Sequence, residues 1–236
     1  MTAASRPPGT AAKTRRATRD APASGRRPAR RGYNGLSAEE LLAQRRRRLL
    51  EAGLELFATR GYHRTPIELL CAEARVTTRH FYEAFGGREA LLLAVYEDVI
   101  RHAQRMIAEA LRDPDADADA AIEAAIDAFM RAYTDDPRRA RIACIEVVGV
   151  SAAVADRRDA VIQEFAGMLR QYADDLVRRG RLPARDYALA GVAMAGAVNE
   201  LLCAWLRAPQ ALSLDALTAE ILMLFRAVIL GARQLG

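Results

Sequence analysis

Two short helices joined by a tight turn are encoded in residues 65–87, which read TPIELLCAEARVTTRHFYEAFGG. The first begins at Thr65-Pro66, an N-cap followed by proline at the first helical position, and a glutamate two residues later completes a capping box. The chain turns at Arg75-Val76, Thr77 caps the second helix, and Gly86-Gly87 ends it. With apolar residues on the inward faces, this pattern is typical of a helix-turn-helix, whose second helix enters the major groove of DNA.

A longer helix is predicted on each side of this pair. One has a capping box at Ser37 and stops at Gly61, and the other begins at Arg88 and ends at Asp113-Pro114. Apolar periodicity predicts five further helices over 118–134, 137–154, 156–180, 185–206 and 213–233. No stretch alternates with period two for long enough to make a convincing strand. The sequence therefore predicts an all-α fold.

Three parts are expected along the chain. Residues 1–36 form a basic arm, residues 37–87 a helix-turn-helix DNA-binding domain, and residues 88–236 a helical ligand-binding and dimerisation domain, with the helix that starts at Arg88 as connector. Residues 1–35 hold nine basic residues against one acidic residue and carry a net charge of +8, whereas the remainder sums to −3. Because the arm is so poor in apolar residues, we expect it to be disordered. Its charge suits a polyanion such as DNA, and the alternative is a tail that only aids solubility.

The candidate DNA contacts are the polar and basic side chains at the start of the second short helix and on the helices around it. They are Arg45, Arg48, Thr65, Thr77, Thr78, Arg79, His80, Tyr82 and Arg88. Arg79 suits the O6/N7 edge of guanine, and Tyr82 and Arg88 could reach phosphates. The alternatives are a plain cap for Thr77, a solvated side chain for His80 and surface charge for Arg88. At most two of the four consecutive arginines from Arg45 to Arg48 can face DNA.

Residues 45–96 resemble the DNA-binding domain of the TetR (tetracycline-repressor) family. The resemblance rests on LLEAGLELFATRGY at 49–62, TPI at 65–67, VTTRHFYEAF at 76–85 and REALL at 88–92. It implies that the second short helix is a recognition helix and that Thr78, Arg79, His80, Tyr82 and Arg88 fall where the family touches DNA. Arg75 stands where the family commonly has glycine, and a non-glycine residue there must take the local strain or adjust the turn. Arg79 and His80 replace residues that are usually smaller, so the resemblance predicts no operator sequence.

The resemblance also implies that the C-terminal half binds a ligand between its helices and dimerises through its last two long helices. Segments 188–206 and 214–230 are apolar on nearly every face, which favours burial on two sides; the alternative is an interior helix of a monomer. The candidate ligand-binding residues are Phe129, Met130, Tyr133, Glu146, Met168, Tyr172, Met194, Asn199 and Trp205. Such a stripe of methionine and aromatic residues can equally be plain core, and each polar member can be a satisfied interface residue.

The sequence thus predicts a DNA-binding transcriptional regulator, and the resemblance implies a repressor that is released from its operator by a small apolar or amphipathic ligand. The alternative is a regulator that has no such ligand and responds to a protein partner. The expected partners are double-stranded operator DNA, the inducer and a second copy of the chain. Three histidines without a metal motif and the lack of a phosphate-binding loop argue against an enzyme, and no cofactor is expected. Three scattered cysteines suggest the cytosol, and the longest apolar run, of eleven residues over 188–198, is too short to span a membrane.

Overall fold

A computed structural model describes residues 37–113, 117–208 and 211–235 of the chain. Within these ranges the protein is helical and contains no strand. The helices are α1 (Ala38–Arg60), α2 (Ile67–Ala74), α3 (Thr78–Ala84), α4 (Arg88–Ala110), α5 (Ala118–Thr134), α6 (Pro137–Arg141), α7 (Ala152–Arg178), α8 (Ala188–Arg207) and α9 (Leu214–Leu235). A 3-10 turn (Tyr62–Arg64) follows α1, and a π-helical segment (Ile142–Glu146) follows α6. The predicted all-α fold is confirmed.

Helices α1 to α3 pack around one apolar core that α4 completes. Phe57 of α1, Phe81 of α3 and Leu91 of α4 are all fully buried there. Gly53 lets α1 approach α4 closely, because a Cβ added to it would lie 2.9 Å from Val95 Cγ2. The turn between α2 and α3 is left-handed at Arg75, with φ 52° and ψ 48°, so the predicted strain is taken up at this residue without glycine.

The structure corrects two predicted boundaries. The N-cap of α2 is Pro66, in extended conformation, and not Thr65, whose side chain points away from the helix end into the interior. The single helix predicted over 137–154 is also wrong. It is broken after the π-helical segment by Gly149, which has φ +73°, and α7 then begins at Ala152 with the Ser151 hydroxyl as its cap.

The longer helices α4, α5, α7, α8 and α9 build the C-terminal part. Helices α7 and α8 pack very closely, since a Cβ added to Gly191 would lie only 2.7 Å from the Ala166 carbonyl oxygen. By length and composition α8 could cross a membrane. Because α8 packs closely along α7, its apolar composition is explained by its position in the helical bundle.

Some sequence predictions lie outside the described residues. They are the basic arm over 1–36 and Pro114, which was expected to end the helix that begins at Arg88. The division at residue 87 between a DNA-binding and a C-terminal domain stays a prediction.

Candidate DNA-binding surface and ligand cavity

The start of α3 presents an exposed polar surface. Thr77 is the N-cap of α3, and its Oγ1 accepts the backbone N–H of His80 at 3.3 Å, as predicted for a capping threonine. The same Oγ1 lies 2.9 Å from His80 Nδ1, which holds the imidazole beside the helix end. Thr78 and Arg79 are exposed, and Tyr82 is 57% exposed although it is aromatic. These five predicted contacts therefore lie in α3 and at its N-cap, and none of them is buried.

Arg79 forms an ion pair with Glu83 one turn later on α3, with 3.1 Å between Nε and Oε1. Its side chain is 86% exposed, and pairs this exposed contribute little to stability. The guanidinium can therefore leave Glu83 for a base edge or a phosphate at small cost.

Thr65 and Arg88 face the protein interior. The Thr65 side chain is fully buried, and its hydroxyl donates to the Gly61 carbonyl oxygen at 2.8 Å, so it is not available to contact DNA. Arg88 lies 4.4 Å over the ring of Tyr62 and donates to the Thr65 carbonyl oxygen at 3.3 Å. It is thus more than plain surface charge, because it ties the start of α4 to the turn before α2, and its contact with a DNA phosphate stays a prediction.

Among the four consecutive arginines of α1, the structure singles out one that sequence reasoning missed. Arg46 donates to the Ala84 carbonyl oxygen at 3.0 Å and lies 4.3 Å over the ring of Phe85, so it satisfies the C-terminal end of α3. Arg45 is half-buried, and Arg48 is exposed. A run of four like residues covers every direction of a helix, so the sequence held no signal for choosing among them.

Glu146 joins the C-terminal part to the DNA-binding part and does not line the ligand cavity. Its carboxylate is buried, accepts the backbone N–H of Tyr62 at 2.8 Å and pairs with Arg141 Nε at 3.1 Å. A carboxylate in an apolar run such as residues 142–148 is costly unless it is paired, and an amide 84 residues away in the chain supplies this partner. Glu146 was predicted to anchor a ligand. In the structure it instead connects the π-helical segment to the Tyr62 amide after α1.

A cavity of about 200 Å³ runs between α4, α5, the π-helical segment, α7, α8 and α9. Protein interiors hold few voids larger than one water, so a cavity of this size is large enough to hold a small molecule. Six of the nine candidate ligand-binding residues line it: Phe129, Tyr133, Met168, Tyr172, Met194 and Asn199. Met130 is buried on another side of α5, and the Trp205 indole donates to the Leu212 carbonyl oxygen at 3.0 Å, so neither belongs to the cavity lining.

Three lining residues that sequence reasoning missed are Tyr96, Cys144 and Arg158. Burial raises the pKa of Tyr96, and burial likewise raises the pKa of Tyr133, so both phenols stay protonated. For Arg158 a signal did exist. It stands four residues after Val154 and three before Val161, both buried, so the helical period already assigned it to the inner face of α7.

Comparison with known proteins bears on both parts of the structure. Residues 49–95 match the family model of bacterial regulatory proteins of the tetR family. The HTH-type transcriptional regulator HbdR of Aromatoleum sp. (strain CIB) is 31% identical over 61 residues, which are 26% of this chain and 27% of that protein. The chain thus spans about a quarter of the length of this relative.

Solved structures extend the likeness to most of the fold. A TetR-family transcriptional regulator from Syntrophomonas wolfei superposes with a TM-score of 0.70 at 19% identity, over 80% of this chain and 96% of that one. The regulator FadR of Bacillus subtilis, solved in complex with stearoyl-CoA, superposes with a TM-score of 0.66 at 18% identity, over 75% of this chain and 96% of that one. The matching family and the relative HbdR are regulators of transcription and not enzymes. Residues 49–95 thus carry the helix-turn-helix motif of the tetR family of bacterial regulatory proteins, and the helical fold of the chain is similar to that of a solved TetR-family transcriptional regulator.

Proposed function

We propose that the protein is a cytoplasmic, dimeric repressor that releases its operator DNA when an apolar or amphipathic ligand fills the cavity. The observation that carries this proposal is the path of α4. Its first residue, Arg88, is held against the turn before α2, and Tyr96, Ile100 and Ile107 farther along the same helix line the cavity. A ligand that displaces this wall moves the helix on which the DNA-binding part is mounted.

Release by a ligand has a thermodynamic requirement. The ligand must bind more tightly to the conformation that cannot bind DNA, and DNA must weaken the ligand by the same factor. Two recognition helices of a dimer read half-sites about one helical turn apart, so a small tilt of α4 is enough to misplace one of them. Glu146 provides a second connection, because it follows the cavity residue Cys144 on the π-helical segment and accepts the Tyr62 amide.

The ligand class is suggested by the lining and by a structural neighbour. The walls are almost wholly aliphatic and aromatic side chains, which suits a long hydrocarbon chain. The FadR structure from Bacillus subtilis is a complex with stearoyl-CoA. Acyl compounds are therefore the first ligands to test on this chain.

A second copy of the chain would cover the apolar surface that α8 and α9 leave open. Leu189 on α8 is 84% exposed, and Met223 and Leu230 on α9 are 51% and 54% exposed. Large apolar side chains gathered on neighbouring helices are typical of an interface, and a two-fold dimer buries the same patch of both subunits. Such a dimer pairs two recognition helices, so we expect a pseudo-palindromic operator.

The test begins with selection of the operator from random-sequence DNA by the purified protein. The affinity for the selected site is then measured by fluorescence anisotropy with and without stearate or stearoyl-CoA. We expect a pseudo-palindrome and an operator affinity that falls on addition of one of these ligands. Ala195 lines the cavity, so Ala195→Trp should fill it, keep operator binding and abolish the ligand effect.

Two results would contradict the proposal. One is a selection that yields no preferred sequence. The other is a compound that binds in the cavity and leaves operator affinity unchanged, which would favour a regulator that answers to a protein partner.

A further inference from the structure

Polar groups gather at one end of the otherwise apolar cavity. Tyr96, Tyr133, Cys144 and Arg158 line this part of the cavity, which we call the polar end. The ion pair between Arg157 and Glu97 places their chain neighbours Arg158 and Tyr96 at the same level of the cavity, and the electrostatic influence of Tyr96 and Cys144 on Tyr133 agrees with this placement. The rest of the lining, toward Ile107, Leu182 and Ala232, is mostly apolar, and its polar side chains are Tyr172, Tyr187 and Asn199. A molecule that satisfies both regions has one polar head and one long apolar body.

Arg158 brings the positive charge to the polar end. The preceding residue, Arg157, pairs with Glu97 and Glu164, whereas Arg158 forms no ion pair within 37–113, 117–208 and 211–235. A half-buried guanidinium beside an apolar cavity loses solvation that no carboxylate of the described chain replaces. An anion that enters the cavity would restore it, since guanidinium binds carboxylate with two parallel hydrogen bonds.

The two phenols add neutral donors. Tyr96 and Tyr133 are each only 3% exposed, and neither hydroxyl has a hydrogen-bond partner in the part of the chain that the structure describes. Each can therefore donate one hydrogen bond to an oxygen placed near Arg158. One guanidinium with two phenolic donors is a set suited to a carboxylate.

We propose that the ligand is a free long-chain carboxylic acid, with its carboxylate at Arg158, Tyr96 and Tyr133 and its hydrocarbon chain along the apolar part of the cavity. This inference rests on the proposed function, because it names the ligand of the same cavity. It also separates two acyl compounds. A coenzyme A thioester carries no charge where its chain ends, and its charged nucleotide is unsuited to the apolar lining.

The experiment measures ligand binding by isothermal titration calorimetry on the full chain in the absence of DNA. The probes are octanoate, dodecanoate and hexadecanoate, each beside the alcohol of the same chain length and the coenzyme A thioester of the same acid. We expect the best acid to bind more tightly than its alcohol by on the order of 10- to 100-fold, the range for hydrogen bonds to a charged group. The thioester should bind more weakly than the acid.

Variants assign this preference to residues. Arg158→Met, which keeps the apolar stem and removes the charge, should make acid and alcohol bind alike. Arg178→Met on the same helix is the matched control, because Arg178 is 69% exposed, pairs with Asp175 and does not line the cavity. Should Arg158→Met fail to fold, the double variant Tyr96→Phe, Tyr133→Phe removes only the two donors and should reduce the same preference.

The inference is overturned if no acid binds, if the thioester binds more tightly than the acid, or if the acid-over-alcohol preference survives both sets of variants. These outcomes differ from failure of the proposed function. An acid that binds through Arg158 without altering operator affinity would contradict ligand-induced release and leave the inference standing. A neutral ligand that releases DNA equally from wild type and Arg158→Met would support ligand-induced release and contradict the inference.

Discussion

Arg79, at the exposed tip of α3, is the side chain best suited to read a base. Its pair with Glu83 is solvent-exposed, so exchanging that partner for the O6/N7 edge of guanine costs little. We expect Arg79→Ala to weaken binding to the selected operator by about 1–3 kcal/mol and to leave binding to random DNA nearly unchanged. Competition binding with both DNAs measures this. Equal losses on the two DNAs would make Arg79 a phosphate contact.

For single residues, the sequence predicts an interaction well when the interacting groups are close to each other in the chain. The cap of α3 at Thr77 and the left-handed turn at Arg75 depend on residues within a few positions, and both were predictable. The apolar residues around Glu146 indicate that its carboxylate needs a partner, but they cannot identify that partner, which is the distant Tyr62 amide. Thr65 was misassigned for a similar reason, because burial of its hydroxyl follows from the packing of α1 against the turn.

The close packing of α7 against α8 requires a residue without a side chain at position 191. A Cβ on Gly191 would lie 2.7 Å from the Ala166 carbonyl oxygen, and a helix backbone cannot give way as a flexible side chain can. Gly191→Ala should therefore lower the free energy of unfolding by about 1–3 kcal/mol, the usual cost of overpacking. Urea denaturation measures the change. The matched control is Gly167→Ala on α7, which meets nothing within 4 Å and should gain up to about 1 kcal/mol from helix propensity.

The short helix α6 is fixed to α1 through Arg138, which binds Glu55 at 2.8 Å and Asp136 at 2.8 Å. The Arg138 hydrogen bond holds the pKa of Asp136 below its ordinary value of 3.8. A carboxyl whose pKa is lower in the folded state stabilises the protein above pH 3.8, and this contribution is lost as the pH falls through the folded-state value. Asp136→Asn should therefore flatten the loss of stability below pH 3.8, as followed by urea denaturation at several pH values. If the variant loses stability below pH 3.8 as steeply as wild type does, Asp136 does not contribute to that loss.

Most helices were predictable because apolar periodicity is a local property, and the failures fall where local pattern and tertiary packing differ. The run from Ile142 to Val148 keeps a helical period, yet it forms a π-helical segment and then stops. Periodicity over so few residues does not separate hydrogen bonds to the fifth residue from those to the fourth. The cavity was only partly predictable for the same reason, since its lining depends on which faces of six elements meet.

For the whole molecule, dimerisation should depend on the exposed apolar residues of α8 and α9. We expect the double variant Leu189→Glu, Leu230→Glu to be monomeric by light scattering, because two carboxylates on each patch face their copies across a two-fold axis. The monomer should keep its helical content and lose most operator affinity, since it presents only one recognition helix. The control Leu42→Glu alters a residue that is 38% exposed on α1. A double variant that remains dimeric would exclude this face.

The last prediction concerns communication between the cavity and the DNA-binding part. Glu146 and the lining residue Cys144 share the π-helical segment, and the Glu146 carboxylate accepts the Tyr62 amide immediately after α1. Glu146→Gln removes the charge from this bridge, and a hydrogen bond to a charged group is worth about 1.5–3 kcal/mol.

We expect this variant to bind the cavity ligand as wild type does but to show a smaller ratio of operator affinities without and with ligand. By linkage, saturating operator DNA should then weaken the ligand by the same reduced factor, which calorimetry with and without DNA measures. Glu200→Gln is the matched control, because Glu200 is exposed and pairs with Arg207 on the same helix. If Glu146→Gln keeps the full wild-type ratio in both measurements, the signal passes through α4 alone.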